Sequence, residues 1–206
     1  MENVSPVKNE AEEKPLKIAR SIDEFEGYAH AHAARIAVLA DAIALKFNLA
    51  AHDRFTLRQA AFVHDIGEMA MNRDYIKANR LLTDNERIDM QRHSVIGEQQ
   101  AAKLGLSRAV QLLVRWHHEW WNGAGYPDAI EREQIPIAAA ILRTADTFAA
   151  LTDRRPYNDN SPLSEQDARK YLTEWAGIEF NPKVVKMFLQ LEGLKELESY
   201  FVNRES

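Results

Sequence analysis

With 206 residues, no cysteine and a formal net charge of -5, the chain has the size of one globular domain with a short tail, and it excludes disulfides and thiolate metal sites. Any metal must therefore be held by imidazole and carboxylate groups. The mildly acidic balance argues against binding long nucleic acid, which calls for a basic face, but not against a small anionic ligand held by a local metal charge.

Residues 1–20 carry scattered lysines and glutamates, with Pro6 and Pro15 breaking any long helix, and are expected to form a loosely ordered lead-in. This start is charged rather than signal-like, and no apolar run approaches the roughly 20 residues of a membrane span, so a cytoplasmic protein is expected, monomeric or homodimeric. Residues 21–204 are predicted to be one domain. Ile36, Leu39, Ala40, Ile43 and Phe47 recur at three- and four-residue steps, and His32 lies on the same stripe, whereas His30 does not. A second helix is predicted from about Asp53 through Leu57, Ala60, Ala61 and Val63 to Gly67, which places His64 and Asp65 at a buried helix end.

Thr83-Asp84-Asn85-Glu86 forms a capping box for a third helix expected to turn Ile88, Met90 and His93 inward. Ser107 caps a fourth, in which Val110, Leu113, Val114 and His117 share a face that ends at His118. The aromatic and glycine segment from Trp120 to Pro127 cannot be regular helix and suits the wall of a pocket. A further apolar helix through Ile137, Ile141, Leu142, Ala145 and Phe148 is interrupted by Asp146. One helix capped by Ser164 and another begun by Asn181-Pro182 and continuing to about Tyr200 complete an all-α, single helical bundle of about seven helices.

His32, His64, Asp65, His93, His117, His118 and Asp146 are polar residues on or at the ends of apolar helical faces, where a core would otherwise take leucine. Burying a carboxylate costs several kcal/mol unless a cation or hydrogen bonds compensate it. Seven nitrogen and oxygen donors exceed one tetrahedral ion and suit two octahedral divalent ions sharing a carboxylate. Iron or manganese matches an imidazole-rich mixed set best, and zinc, nickel and magnesium also fit. Two such ions about 3.5–4 Å apart activate water and neutralise phosphoryl oxygens, which points to phosphodiester hydrolysis.

The order His32-x-x-Arg35, His64-Asp65-Ile66-Gly67, His93, His117-His118-Glu119, Gly125-Tyr126-Pro127 and Asp146 resembles the HD-GYP family of bacterial cyclic di-GMP phosphodiesterases over roughly residues 25 to 190. The resemblance implies a cyclic dinucleotide substrate, linear pGpG or GMP as product, and a two- or three-metal centre. His32, His64, Asp65 and Asp146 would hold one ion, and His93, His117 and His118 the second, with Asp65 bridging. Tyr28 stands where some relatives place a glutamate for a third metal, which favours two. Gly125, Tyr126 and Pro127 would line the substrate pocket and offer a contact surface to a signalling partner. Arg155 matches a position that meets substrate phosphate.

Three departures from the family's pattern stand out, and the first two thin the positive charge. Glu68 replaces a lysine that contacts phosphate, Asn158 replaces a basic residue, and Ala149 replaces an aspartate. Two divalent ions, two aspartates and one hydroxide leave a single formal positive charge, which an ionised Glu68 cancels. Asp65 and Glu68 are therefore the residues expected to bear on catalysis, Glu68 by altering metal binding, proton transfer or substrate choice. The rival readings are a cyclic-dinucleotide sensor or interaction module that hydrolyses poorly, and a phosphohydrolase for another nucleotide.

Overall fold

Alanine-rich helices set the centre of the molecule. The computed structural model describes residues 10–28, 30–78, 80–153 and 161–194. α2 (His32–Lys46) and α8 (Ile137–Thr152) pack together, and α2 also lies along α3 (Ala51–Val63). In α2 the residues Ala33, Ala37, Ala40 and Ala44 alternate with Ile36, Leu39 and Ile43, all fully or almost fully buried. Small side chains let neighbouring helices approach, and the long ones fill the space between them, so α2 is apolar nearly all round, as suits a central helix. Ala139, Ile141, Leu142, Ala145 and Phe148 form the matching face of α8.

The all-α expectation holds: among the described residues there are seven helices of nine residues or more, and three shorter ones account for the higher total. The long ones include α1 (Glu10–Glu26), α6 (His93–Lys103), α7 (Arg108–Trp116) and α9 (Glu165–Glu174); the short ones are α4 (Ile66–Met71), α5 (Asp84–Met90) and α10 (Pro182–Phe188). The predicted caps are present, Thr83 with Glu86 at α5, Ser107 at α7, Ser164 at α9 and Asn181 at α10.

Four expectations need correction. From Glu10 onward the lead-in is helix α1, and Pro15 lies within it. Burial of Pro15, Ala19 and Ile22 against the body of the molecule outweighs the one backbone hydrogen bond that the proline removes. Ile88 points outward, because α5 buries none of its residues and lies on the surface, tied down through Asp89 to Tyr75, Arg73 and Arg92. The second helix does not run unbroken to Gly67. It ends at Val63, and Asp65, at φ -99° and ψ 16°, turns the chain into α4. The final helix ends at Phe188 within the described residues, and the stretch to Tyr200 lies largely outside them.

Gly67 explains that turn. A Cβ there would sit 1.9 Å from the His93 carbonyl oxygen, so only glycine lets the backbones of α4 and α6 meet. That contact sets the start of α6, and with it His93, beside Asp65.

Candidate metal centre

Helix ends deliver most of the predicted donors. His32 opens α2, His93 opens α6, His64 follows α3, His117 and His118 follow α7, and Asp146 projects from within α8. His32, His64, Asp65, His93, His117 and Asp146 are buried, and His118 is half-buried.

Asp65, His93, His117 and His118 each bring one donor atom into a group in which all lie within 4.8 Å of one another. The Nε2 atoms of His93 and His117 are 3.3 Å apart and each is 3.4 Å from Oδ1 of Asp65. His64 Nε2 lies 3.1 Å from Asp65 Oδ2 and 3.8 Å from Asp146 Oδ1. The His32 ring is farther out, 6.5 Å from that of His64, with its Nδ1 3.3 Å from Asp153 Oδ2. Asp65 thus stands between two sets of donors.

Local helix geometry orients these rings. The Nδ1–H groups of His64, His93 and His117 donate to the carbonyl oxygens of Ala61, Met90 and Val114, each three residues back, at 3.0, 2.7 and 2.6 Å. A carbonyl only accepts, so Nδ1 carries a proton in all three rings; in His93 and His117 Nε2 then turns a lone pair toward the centre, whereas His64 Nε2 faces the Asp65 and Asp146 carboxylates. Lone pairs and a carboxylate facing one another repel. His64 Nε2 and Asp65 Oδ1 are buried without hydrogen-bond partners. Ligands about 2.1 Å from one ion stand roughly 3.0–3.5 Å apart, the spacing of the His93, His117 and Asp65 donors, so the residues fit a divalent cation.

Charge in the metal-free centre follows the same logic. Burial opposes ionisation of both His64 and Asp65, but their mutual attraction prevails, raising the imidazole well above its usual range and holding the carboxyl well below its own. Burial pulls His93 down to about 4, and it pulls His118 well down as well, helped by neighbouring His117, so both rings are neutral at physiological pH. Burial also pushes the Tyr126 phenol up, and its ring stacks on His118 at 4.8 Å.

Tyr126 therefore belongs to the site, whereas Trp120 packs against Trp175. Gly125 is held close, since a Cβ there would meet the Trp120 nitrogen at 2.2 Å and the His118 carbonyl at 2.5 Å. Pro127 follows Tyr126 through a cis peptide bond. Buried Glu119 fixes the loop by accepting the Asp128 N–H at 2.7 Å. Arg155 and Asn158 lie outside the described residues.

Glu68 comes to the edge of the centre, where its carboxylate joins those of Asp65 and Glu26 within 4.8 Å. Glu26 was missed because it arrives on α1, the helix hidden by its charge and proline. Asp153, the partner of His32, and Arg143, which contacts His118, were missed as well. Arg143 was within reach, since it lies one turn before Asp146 on the same face of α8.

The HD domain family model matches residues 19–184. A cyclic di-GMP phosphodiesterase of Thermotoga maritima is 32% identical over 181 residues, covering 86% of this chain and 48% of that protein. The 3'3'-cGAMP-specific phosphodiesterase 2 of Vibrio cholerae is 28% identical over 182 residues, covering 87% of this chain and 34% of the relative. The chain thus spans half or less of the length of these curated relatives. The crystal structure of a cyclic GMP-AMP specific phosphodiesterase of V. cholerae superposes with a TM-score of 0.72 at 21% identity over 93% of this chain and 53% of that one, which shows a shared fold. No helix among the described residues is long and apolar enough to cross a membrane.

Proposed function

This chain belongs to the HD domain family, in its HD-GYP branch, and on that premise we propose that it hydrolyses a phosphodiester bond of a cyclic dinucleotide at a binuclear metal site. In this reading His32, His64 and Asp146 would hold one divalent ion and His93 and His117 the other, with His118 beside them and Asp65 shared between the two. When bound, the ions supply a nucleophile from water at neutral pH and neutralise charge on the phosphoryl oxygens. Iron or manganese suits the imidazole-rich donor set.

The chain's own part is orientation. Backbone carbonyls fix three rings with Nε2 inward, Asp153 steadies His32, and Tyr126 closes over His118. Arg35 ties α2 to the end of α8 through the Ala149 carbonyl and Thr152, keeping His32 level with Asp146. The segment from Gly123 to Pro127 lines the substrate pocket and is also the surface for a signalling partner, and Arg155 would meet substrate phosphate.

One observation carries this reading: imidazole lone pairs converge on a buried carboxylate oxygen that has no hydrogen-bond partner. The test is incubation of anaerobically purified, Fe2+- or Mn2+-loaded protein with cyclic di-GMP, 3'3'-cGAMP and cyclic di-AMP, followed by chromatography. A linear dinucleotide or mononucleotide product supports the proposal, and intact substrate with every metal overturns it. The gathering of Glu26, Asp65 and Glu68 favours a second reading, a weakly hydrolysing sensor, because it repels an anionic ligand once bound metal charge is spent. Tight binding of the cyclic dinucleotide without linear product would select that reading.

A further inference from the structure

His118 is held differently from its neighbours. The rings of His64, His93 and His117 each present Nδ1 to a backbone carbonyl, but His118 Nδ1 lies 2.9 Å from Nη1 of Arg143. A guanidinium only donates and does not give up its protons, so His118 Nδ1 accepts and the proton of the neutral ring sits on Nε2. We propose that Arg143 is a positioning residue that holds His118 in the opposite tautomer from His93 and His117, so that His118 serves the centre as a hydrogen-bond donor rather than as a metal ligand.

Either edge of the ring leads to the same result. Coordination needs a free lone pair, and here Nε2 carries the proton while the Nδ1 lone pair is engaged by Arg143. Turning the ring over would set a carbon against the guanidinium, and Tyr126 stacked on one face crowds that movement.

Arg143 is itself braced. Its Nη2 donates to Oε1 of buried Glu179, whose other oxygen faces the Tyr171 hydroxyl at 3.4 Å, and its Nη1 is 3.8 Å from Asp146 Oδ2. Withdrawing Arg143 from His118 would loosen a buried ion pair, so the contact is built into the fold. The identity of the acceptor rests on the phosphodiester reading: an N–H beside two ions suits an anionic phosphoryl oxygen, with the added strength of a charged acceptor. The tautomer does not rest on that reading.

Long-range 1H–15N correlation spectra of the metal-free full chain test this directly. His93 and His117 are expected as Nδ1–H tautomers and His118 as Nε2–H. Titration with Zn2+ is then expected to shift Nε2 of His93 and His117 and leave both nitrogens of His118 in place. His118 found as Nδ1–H, or shifted by Zn2+ as far as His93, overturns the proposal.

The double variant Arg143→Met/Glu179→Gln removes both charges of the buried pair together and frees His118 Nδ1. Its Zn2+ affinity is expected to rise about tenfold, with His118 joining the coordination shifts, in line with the usual weight of such outer contacts. Unchanged or weaker affinity in a variant with native helicity overturns the proposal, and the wild-type spectra decide it should the variant not fold. Failure to cleave any cyclic dinucleotide, with the tautomers as stated, would remove the function proposed above and leave this inference standing.

Discussion

Two buried aspartates, Asp41 and Asp65, are 4% and 8% exposed, and they solve the same electrostatic problem in opposite ways. Asp41, on α2, is clasped by Arg54 and Arg58 from α3, with contacts of 2.5 to 2.9 Å that satisfy both oxygens. Asp65 faces imidazole nitrogens from three helices, and its Oδ1 has no hydrogen-bond partner. The first carboxylate carries its compensating cations within the chain and fastens two helices. The second is compensated only in part, at a place where the backbone has been shaped to bring more donors in. Burial of an acid is thus no mark of function until its partners are counted.

The largest expected effect comes from removing each acid in turn. Asp65→Ala should abolish binding of both ions and lower phosphodiesterase activity by roughly a thousandfold or more, while the metal-free protein keeps its fold and its Tm falls only by the lost attraction to His64. Asp41→Ala should do the reverse. Its arginines keep some exposure, at 19% and 21%, so the loss is discounted to about 2 kcal/mol of stability, with kcat unchanged. Metal content by mass spectrometry, calorimetric Tm and turnover measured on both variants decide the matter. Equal loss of metal in the two would erase the distinction.

Next in size are changes to the backbone that frames Asp65. Gly67→Ala would force a Cβ against the His93 carbonyl at 1.9 Å, where neither backbone can yield cheaply. A stability loss of about 3 kcal/mol is expected, together with weaker metal binding as α4 and α6 separate. Gly125→Ala meets the Trp120 nitrogen and the His118 carbonyl, so it should lower kcat more than it lowers metal affinity, because the loop rather than Asp65 moves. Metal titration and kinetics of the two variants separate the frame from the loop.

Polar residues on apolar stripes made His64, Asp65, His93, His117 and Asp146 legible in the sequence, since helical periodicity alone says which positions face inward. Periodicity could not say that α5 lies on the outside, so Ile88 was placed in the core with Met90. Nor could it reveal α1, whose charges and Pro15 look like a tail until Ala19 and Ile22 are seen packed against the body of the protein. Glu26 was lost with that helix. The role of Gly67 was also out of reach, because it depends on how close α6 passes, which is a tertiary fact.

Proton competition sets a smaller effect. The partners of Asp41 are guanidiniums, which stay protonated over the working range, but Asp65 shares its charge with His64, whose pKa is raised in the metal-free protein. A raised histidine stabilises the fold below its unfolded value of about 6.5 and loses that contribution as pH climbs through the folded value. Metal must displace the same proton, so its affinity should increase over that interval. Metal-free Tm is therefore expected to fall, and Mn2+ affinity to rise, as pH goes upward from about 6.5. Parallel trends would show that His64 is not the group in competition.

The smallest effect tests whether the Asp65 region can be made to resemble the Asp41 region. Glu68→Lys places a cation among the carboxylates of Glu26 and Asp65, all within 4.8 Å in the present chain, and so supplies from the protein what Arg54 and Arg58 supply elsewhere. Two consequences oppose each other. The lysine competes with metal for the acidic groups, and it attracts a dianionic phosphodiester. Glu68 is only half-buried, so solvent weakens both. In the proposed site the ions would be held by inward-facing imidazoles that a lysine at the rim does not touch, so the attraction should prevail. A several-fold gain in kcat/KM for the cyclic dinucleotide is expected, mostly through KM and fading as salt rises. A metal affinity that falls while KM stays fixed would mean instead that the added cation has satisfied Asp65 as Arg54 satisfies Asp41.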